Sequence, residues 1–357
     1  MTEANKLRNE EKVEEISLWR RFFNYRTLIS FVIAFGILFL AFERLNIDFS
    51  ATWSMITGCN PVFYILAFLC YYSSFPLRAL RWRLLLHNAG FRKGEGVELP
   101  SLGGLTQIII INWFVNCIMY ARMGDPYRAY LLKQNADVSF PKTLGTVLSE
   151  RVLDIIVIFI LVLVAIFGLL LTGSPGMKVA GLVLVIGIAL LSVVAILLGV
   201  MGRFGTTVAQ RLPRRIKSVY THFEEGTLGS FGGLPALGSL SIGIWLLEAG
   251  RMLLVTQALS QATGFDIFDI GLALILFAAM ANAMITAIPL TPGGLGLVEP
   301  GVAGLLMIAP ISKGVALSII LADRTISFLS VIVIGLVVFG FWHLTQARGK
   351  RRVELKR

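Results

Sequence analysis

Charge is scarce in this chain, and what is missing narrows the field quickly. Of 357 residues 15% are charged and 56% hydrophobic, and no polar stretch is long enough to bury a soluble core. Cys59, Cys70 and Cys117 are scattered without CxxC spacing, so they read as ordinary apolar positions that say nothing of redox compartment. The three histidines, His87, His222 and His343, stand isolated, which argues against a metal site. No GxxxxGK[ST] is present, so no ATP-binding P-loop is expected, and no cofactor is called for. The first 26 residues are polar and charged. They lack the roughly 7–15-residue apolar core and cleavage site of a signal peptide, so none is expected.

What remains is a series of long apolar blocks, and the mean hydropathy is +0.79. The stretches 179–202 and 269–312 each exceed the roughly 20 residues that a helix needs to cross a bilayer. Further candidates are 27–42, 61–77, 101–121, 155–175, 234–260 and 315–344. The expected fold class is an all-α polytopic membrane protein with about eight transmembrane helices, broken or re-entrant segments and an internal repeat. The expected organisation is an N-terminal segment 1–26, a single membrane domain 27–342 and a basic tail 343–357. Within the domain, halves 27–202 and 234–342 are joined by a connector, 203–233.

The net charge of +11 could suggest nucleic acid, but its placement argues against that partner. Twenty-seven of the 32 Lys and Arg lie in 1–26, 78–93, 122–151, 203–217 and 348–357, and loops 46–60 and 260–269 carry none. That is the pattern of basic segments facing the cytoplasm and anionic lipid. It predicts a multi-pass protein of a prokaryotic cytoplasmic (inner) membrane with both termini cytoplasmic. Keeping 122–151 and 203–217 on one side means that 101–121 does not cross by itself, so it is expected to be re-entrant or half of a broken pair, and its Asn112 and Asn116 share one helical face, as a cavity wall would. A cytoplasmic tail requires 291–312 to traverse, alone or with part of a neighbour.

Thr291-Pro292-Gly293-Gly294-Leu295-Gly296-Leu297-Val298-Glu299 interrupts the apolar sequence. A Pro-Gly-Gly-x-Gly run cannot continue a helix. Within a bilayer such backbone is tolerated only where protein covers it or where it lines a cavity. An acid beside it points to a transport or substrate site. The repeat is faint but spaced: Glu150-Arg151 follow Gly124 by 26 and 27 residues, and Asp323-Arg324 follow Gly296 by 27 and 28.

Each charge at mid-bilayer costs about 2.5–3.5 kcal/mol on insertion scales, so these charges need partners or a function. Glu248 and Arg251, at i and i+3, can share a helix face and read as a structural pair. Glu150 and Asp154 share a face. Asp323 and Arg324 point apart, so each needs a partner on another helix. Arg122, Arg128, Arg151 and Arg324 are candidates for holding a phosphate, which a guanidinium matches with a planar fork of donors. Asn112, Asn116, Asp125, Glu150, Asp154, Gly293, Gly294, Gly296, Glu299 and Asp323 are candidates for cavity or coupling roles. Arg78, Arg81, Trp82 and Arg83 read most simply as an interfacial anchor. Trp113 fits a cavity wall or an interfacial belt equally.

Four motifs in order carry a family resemblance. They are Arg78-Ala79-Leu80-Arg81-Trp82-Arg83-Leu84-Leu85; Asn116 with Arg122-Met123-Gly124-Asp125 and Arg128-Ala129-Tyr130-Leu131-Leu132; Glu150-Arg151-Val152-Leu153-Asp154; and Pro292-Gly293-Gly294-Leu295-Gly296-Leu297-Val298-Glu299. Over residues 27–342 the chain resembles the lysylphosphatidylglycerol synthase transmembrane (flippase-like) family, the membrane half of the bacterial multiple peptide resistance factor and its stand-alone relatives. That family usually has Pro-Gly where this chain has Tyr120-Ala121, and Arg where it has Val298. The second departure shifts weight for headgroup contact to Arg324 and Arg122.

The resemblance implies a lipid flippase or translocase moving a phospholipid, such as aminoacylated phosphatidylglycerol, or a lipid-linked headgroup. It implies no enzyme activity here, since the sequence as given holds no segment for the aminoacyl-transferase domain; a lysyltransferase label would be inherited from the family. The expected partners are membrane phospholipid or a lipid-linked substrate and anionic lipid at the basic loops, with a homo-oligomer left open. Movement would run downhill, or couple to a proton through Glu299 or Asp154, because a low-dielectric site favours a neutral acid. A membrane-embedded lipid or glycosyl transferase is a weaker alternative, because loop 46–60 offers only Asp48. A non-transporting partner of a separate synthase is the third, and it predicts no lipid-sized cavity between the halves.

Overall fold

The structure, a computed structural model, describes residues 25–45, 49–172 and 177–354. The expected N-terminal segment through residue 24 and the last three residues of the tail lie outside it. Among the described residues the regular elements are all helical, as the apolar blocks require. Backbone polar groups in hydrocarbon must be satisfied within the segment itself. In order, α1 spans Tyr25–Leu45, α2 Phe49–Thr57, α3 Pro61–Asn88, α4 Leu102–Ile118, α5 Gly124–Ala136, α6 Phe140–Leu171 and α7 Met177–Arg211. The connector helix α8 spans Arg214–Gly229, followed by α9 Leu234–Thr263, α10 Leu272–Ala287, α11 Val298–Leu306, α12 Lys313–Arg324 and α13 Val331–Glu354. A π-helical turn, Thr325–Ser330, joins α12 to α13.

Five helical segments are long and apolar enough to cross a membrane: Pro61–Asn88, Phe140–Leu171, Ala180–Arg211, Leu234–Thr263 and Lys313–Thr345. Three shorter apolar helices, Thr27–Leu40, Leu102–Ile118 and Leu272–Ala287, bring the apolar segments to eight. The structure is therefore an all-α polytopic membrane-type fold.

The long helices α3 and α9 pack together over their length and run antiparallel. At one end the Asn60 amide donates to the Ala258 carbonyl at 2.8 Å. At the other, the Asn88 side chain donates to the Ser230 and Gly232 carbonyls at 3.0 and 2.6 Å. Each of these helices is followed by a short helical hairpin and then by another long helix. In the first half the order is α3, α4/α5, α6. In the second it is α9, α10/α11, α12–α13. Because α3 and α9 oppose one another, the second unit is the first turned over, an inverted repeat. The hairpins are exchanged between the units, with α4 packing on α13 and α10 on α6.

Both hairpins turn back. In the first, the Gly124 amide donates to the Asn116 side-chain oxygen at 2.8 Å, and a Cβ on Gly124 would press into the Asn112 carbonyl. In the second, a Cβ on Gly301 would lie 2.9 Å from Ile285, so α11 returns along α10. At 1.5 Å per residue the nine residues of α11 span about 14 Å, under half of the roughly 30 Å hydrocarbon core. The expectation that 291–312 traverses is thus corrected, and with it the requirement this placed on the tail: α10 and α11 are two arms of one hairpin, so two crossings are lost together and the tail stays on the side expected. Too few residues stay helical beyond the glycines, and the chain folds back beside its own incoming helix.

Candidate functional site

The repeat becomes chemistry at the hairpin tips. Asp125 and Glu299 are each the second residue of a returning helix, α5 and α11. Each pairs with an arginine on the long helix that follows. Arg151 Nη2 lies 3.0 Å from Asp125, and Arg324 Nε lies 2.9 Å from Glu299. The separations along the chain are 26 and 25 residues, so the faint spacing in the sequence marks one ion pair used twice.

The two tips meet. Arg122 Nη1 donates to the Thr286 carbonyl at 3.3 Å, and a Cβ on Gly293 would lie 3.6 Å from Cys117 Cα. The first tip turns through two left-handed non-glycine residues, Ala121 (φ 56°) and Arg122 (φ 51°). The second turns through Gly293, Gly294 and Gly296. Gly296 has φ 82°, and a Cβ there would run into the Ala34 backbone of α1, so no other residue fits without moving that helix.

Between the tips and the long helices lies a cavity of about 340 Å³. Five arginines reach its wall, Arg78, Arg122, Arg151, Arg251 and Arg324, against three acids, Asp125, Asp154 and Glu248. Asn116, Cys117, Trp113, Trp245, Asn282 and Thr286 are also on it, as is Gly293. The expected lining residues Asn116, Asp125, Arg122, Arg151, Asp154, Gly293 and Arg324 therefore come together. The pair Glu248–Arg251 also reaches this wall while holding helices together. Arg251 donates to Glu248 at 3.1 Å and to Asp323 on α12.

Other candidates lie behind the wall. Arg128 is 1% exposed and ion-paired with Glu150 at 2.9 Å, with its guanidinium over Trp82. It does not face the cavity. Glu150 also receives Arg81 at 3.1 Å. Asp323, Glu299, Gly294 and Gly296 support the tips and the long helices from outside the cavity lining. Asn112 is buried against Gly124, and neither of its side-chain polar atoms has a partner.

The acids expected to carry a proton are already engaged. Glu299 accepts from Arg324 Nε at 2.9 Å and from the Gly296 amide at 2.7 Å. Asp154 accepts from Arg81 at 2.8 Å, Trp245 at 3.1 Å and Arg151 at 3.2 Å. Asp323 and Arg324 do find partners on other helices, as their divergent directions require.

The reading of Arg78 and Arg81 as interfacial anchors is overturned. Both are at most 1% exposed, whereas Arg83 remains exposed. Arg78 donates to Glu248 at 2.7 Å and stacks between Trp113, at 4.7 Å, and Trp245, at 5.5 Å. Opposing acids on two helices, Glu248 of α9 and Glu150 and Asp154 of α6, make a protein interior, where a guanidinium paired and stacked outcompetes the water it left. The i, i+3 spacing of Arg78 and Arg81 was the available signal, since it puts both on one helix face.

The family model for the lysylphosphatidylglycerol synthase TM region matches residues 27–335. The chain is 26% identical over 325 residues to a protein of Haloferax volcanii named glycosyltransferase AglD, covering 81% of this chain but 50% of that protein. The chain thus spans about half the length of that relative. It is 26% identical over 231 residues to a UPF0104 membrane protein of Methanocaldococcus jannaschii, covering 63% of this chain and 93% of the relative. A UPF0104 membrane protein of Methanothermobacter thermautotrophicus is 23% identical over 337 residues, covering 87% of this chain and 94% of the relative. The chain belongs to the lysylphosphatidylglycerol synthase transmembrane family.

Proposed function

We propose that this member of the lysylphosphatidylglycerol synthase transmembrane family is a lipid translocase that passes a phosphate-bearing headgroup between its two hairpin tips. The observation that carries the reading is a cavity walled by five arginines and three acids inside a bundle whose outer surface is apolar. Guanidinium donors held in a water-poor interior suit phosphate oxygens. Building such a wall merely to hold helices together would leave it no reason to enclose space. About 340 Å³ falls in the usual range of small-molecule sites. It suits a headgroup whose acyl chains stay in the surrounding lipid. Leu190 of α7, a helix exposed along most of its apolar length, borders the cavity and places its edge toward that lipid.

Both acids proposed for proton coupling are held by arginines, so coupling through either would first have to pull a guanidinium away. Downhill movement is the simpler mode. We place the protein in the cytoplasmic membrane with both termini inside and treat it as a transporter without catalysis of its own. The name of the Haloferax relative favours a second reading, in which the headgroup is a lipid-linked sugar.

The test is flipping of labelled lipids in vesicles reconstituted with purified protein. Arg151→Lys and Arg324→Lys should slow it at least about tenfold while expression survives, because lysine keeps the charge and loses the planar fork. Full-rate flipping by both variants would refute the reading.

A further inference from the structure

The buried charges around the cavity can be matched one to one by their shortest contacts. Asp125 pairs with Arg151 at 3.0 Å, Glu150 with Arg128 at 2.9 Å and Asp154 with Arg81 at 2.8 Å. Glu248 pairs with Arg78 at 2.7 Å, Glu299 with Arg324 at 2.9 Å, and Asp323 with Arg251. Six acids take six arginines. Among the described residues of this network, the guanidinium left without an acid of its own is Arg122.

Its contacts are correspondingly long. Arg122 Nε is 3.5 Å from Asp125, whose other oxygen serves Arg151, and Nη1 is 3.3 Å from the Thr286 carbonyl. The residue is on the cavity wall, at the point where the two tips touch. The network therefore carries one more positive charge than it has carboxylates, on a side chain that is 23% exposed and so open to an anion entering the cavity.

We infer that Arg122 is the specificity-determining residue of the site, and that it selects a lipid headgroup with a single net negative charge, an anionic phosphodiester. This rests on the translocase reading and deepens it. A phosphodiester anion supplies the seventh negative charge. A phosphomonoester dianion overfills the network and meets Asp125 and Asp154. A zwitterionic headgroup brings its ammonium among the remaining guanidinium groups. An anion that takes Arg122 also competes with the Thr286 carbonyl, so binding loosens the contact between the tips.

Binding is read from tryptophan fluorescence, since Trp113 and Trp245 border the cavity. Purified protein in detergent micelles is titrated with short-chain phosphatidylglycerol, phosphatidylethanolamine and phosphatidic acid, and with free glycerophosphoglycerol. The expected result is affinity for phosphatidylglycerol at least about tenfold above each of the others.

Arg122→Gln should abolish that preference. Asn116→Asp, near the end of α4 where the side chain accepts the Gly124 amide, adds a seventh carboxylate without changing shape. It should lower phosphatidylglycerol affinity by about tenfold or more while thermal stability is kept. Unchanged preference in Arg122→Gln, undiminished affinity in folded Asn116→Asp, or equal binding of the three lipids overturns the inference. Equal binding of the free headgroup overturns the lipid as its source. Selective binding without flipping in vesicles would sink the translocase reading and leave this one standing. Flipping without charge preference would do the reverse.

Discussion

Breaking the same ion pair in the two halves should have unequal consequences, because the halves are buried unequally. Glu299 and Arg324 have side chains 3% and 8% exposed, whereas Asp125 and Arg151 are 14% and 24% exposed. Glu299 also serves two donors, one from each oxygen, Arg324 and the Gly296 amide. In Glu299→Gln one oxygen remains for both, and the new NH2 group faces a donor. Arg324 would then keep only the Gly293 carbonyl, at 2.8 Å. Removing one partner of a buried pair costs about 3–5 kcal/mol, and Glu299→Gln belongs at about 3 kcal/mol or more.

In Asp125→Asn, Arg151 keeps Asp154 at 3.2 Å, and partial wetting raises the effective dielectric. That reduces a contact pair from several kcal/mol toward about 1 kcal/mol, so the expected loss is about 1–2 kcal/mol. SDS-driven unfolding of detergent-purified protein, followed by tryptophan fluorescence, gives both values. A double-mutant cycle with Arg324→Gln should return a coupling of about 2 kcal/mol. A Glu299→Gln protein within 1 kcal/mol of the parent, or an Asp125→Asn loss larger than the Glu299→Gln loss, would show that burial does not set these energies (about 1 kcal/mol being the worth of an exposed pair).

Gly294→Leu should lose flipping and thermal stability together. Its φ is 72°, and an added Cβ lies 2.8 Å from Val298 and 3.2 Å from the Thr286 backbone; a stable but inactive variant would put this glycine in transport instead of in the turn. Ala121→Gly should raise the free energy of SDS unfolding by roughly 0.5–1 kcal/mol, since φ 56° at an exposed alanine strains the backbone, and a lower value would contradict this. Single cysteines at Gln210 and Asp266 should label from opposite faces of sealed vesicles, with 210 on the cytoplasmic side. Same-face labelling would break the topology.

The apolar helices, the broken segment and the doubled acid–arginine spacing were legible because each is local. Hydropathy settles whether some twenty residues enter a bilayer. Glycine and proline settle where a helix stops. The spacing from Gly124 and Gly296 preserved the repeat even though the hairpins differ in length. The return of 291–312 was less visible, since an apolar run reads the same whether it goes on or doubles back. Arg78 and Arg81 were misplaced for a similar reason. They sit at the polar end of an apolar helix, and their partners Glu248, Glu150 and Asp154 are 170, 69 and 73 residues away.

Composition and pattern alone thus determined a polytopic helical membrane protein with two interrupted helices, because each of those features depends on a residue and its near neighbours. Only the tertiary structure decided that the tips meet, that Arg128 turns away from the cavity and that Arg78 lines it. Among the described arginines of the buried network, it alone left Arg122 sharing its acid, Asp125, with Arg151. The physical reason is that ion pairing depends on distances between helices far apart in the chain, and six acids among seven arginines can be apportioned only once those distances are set.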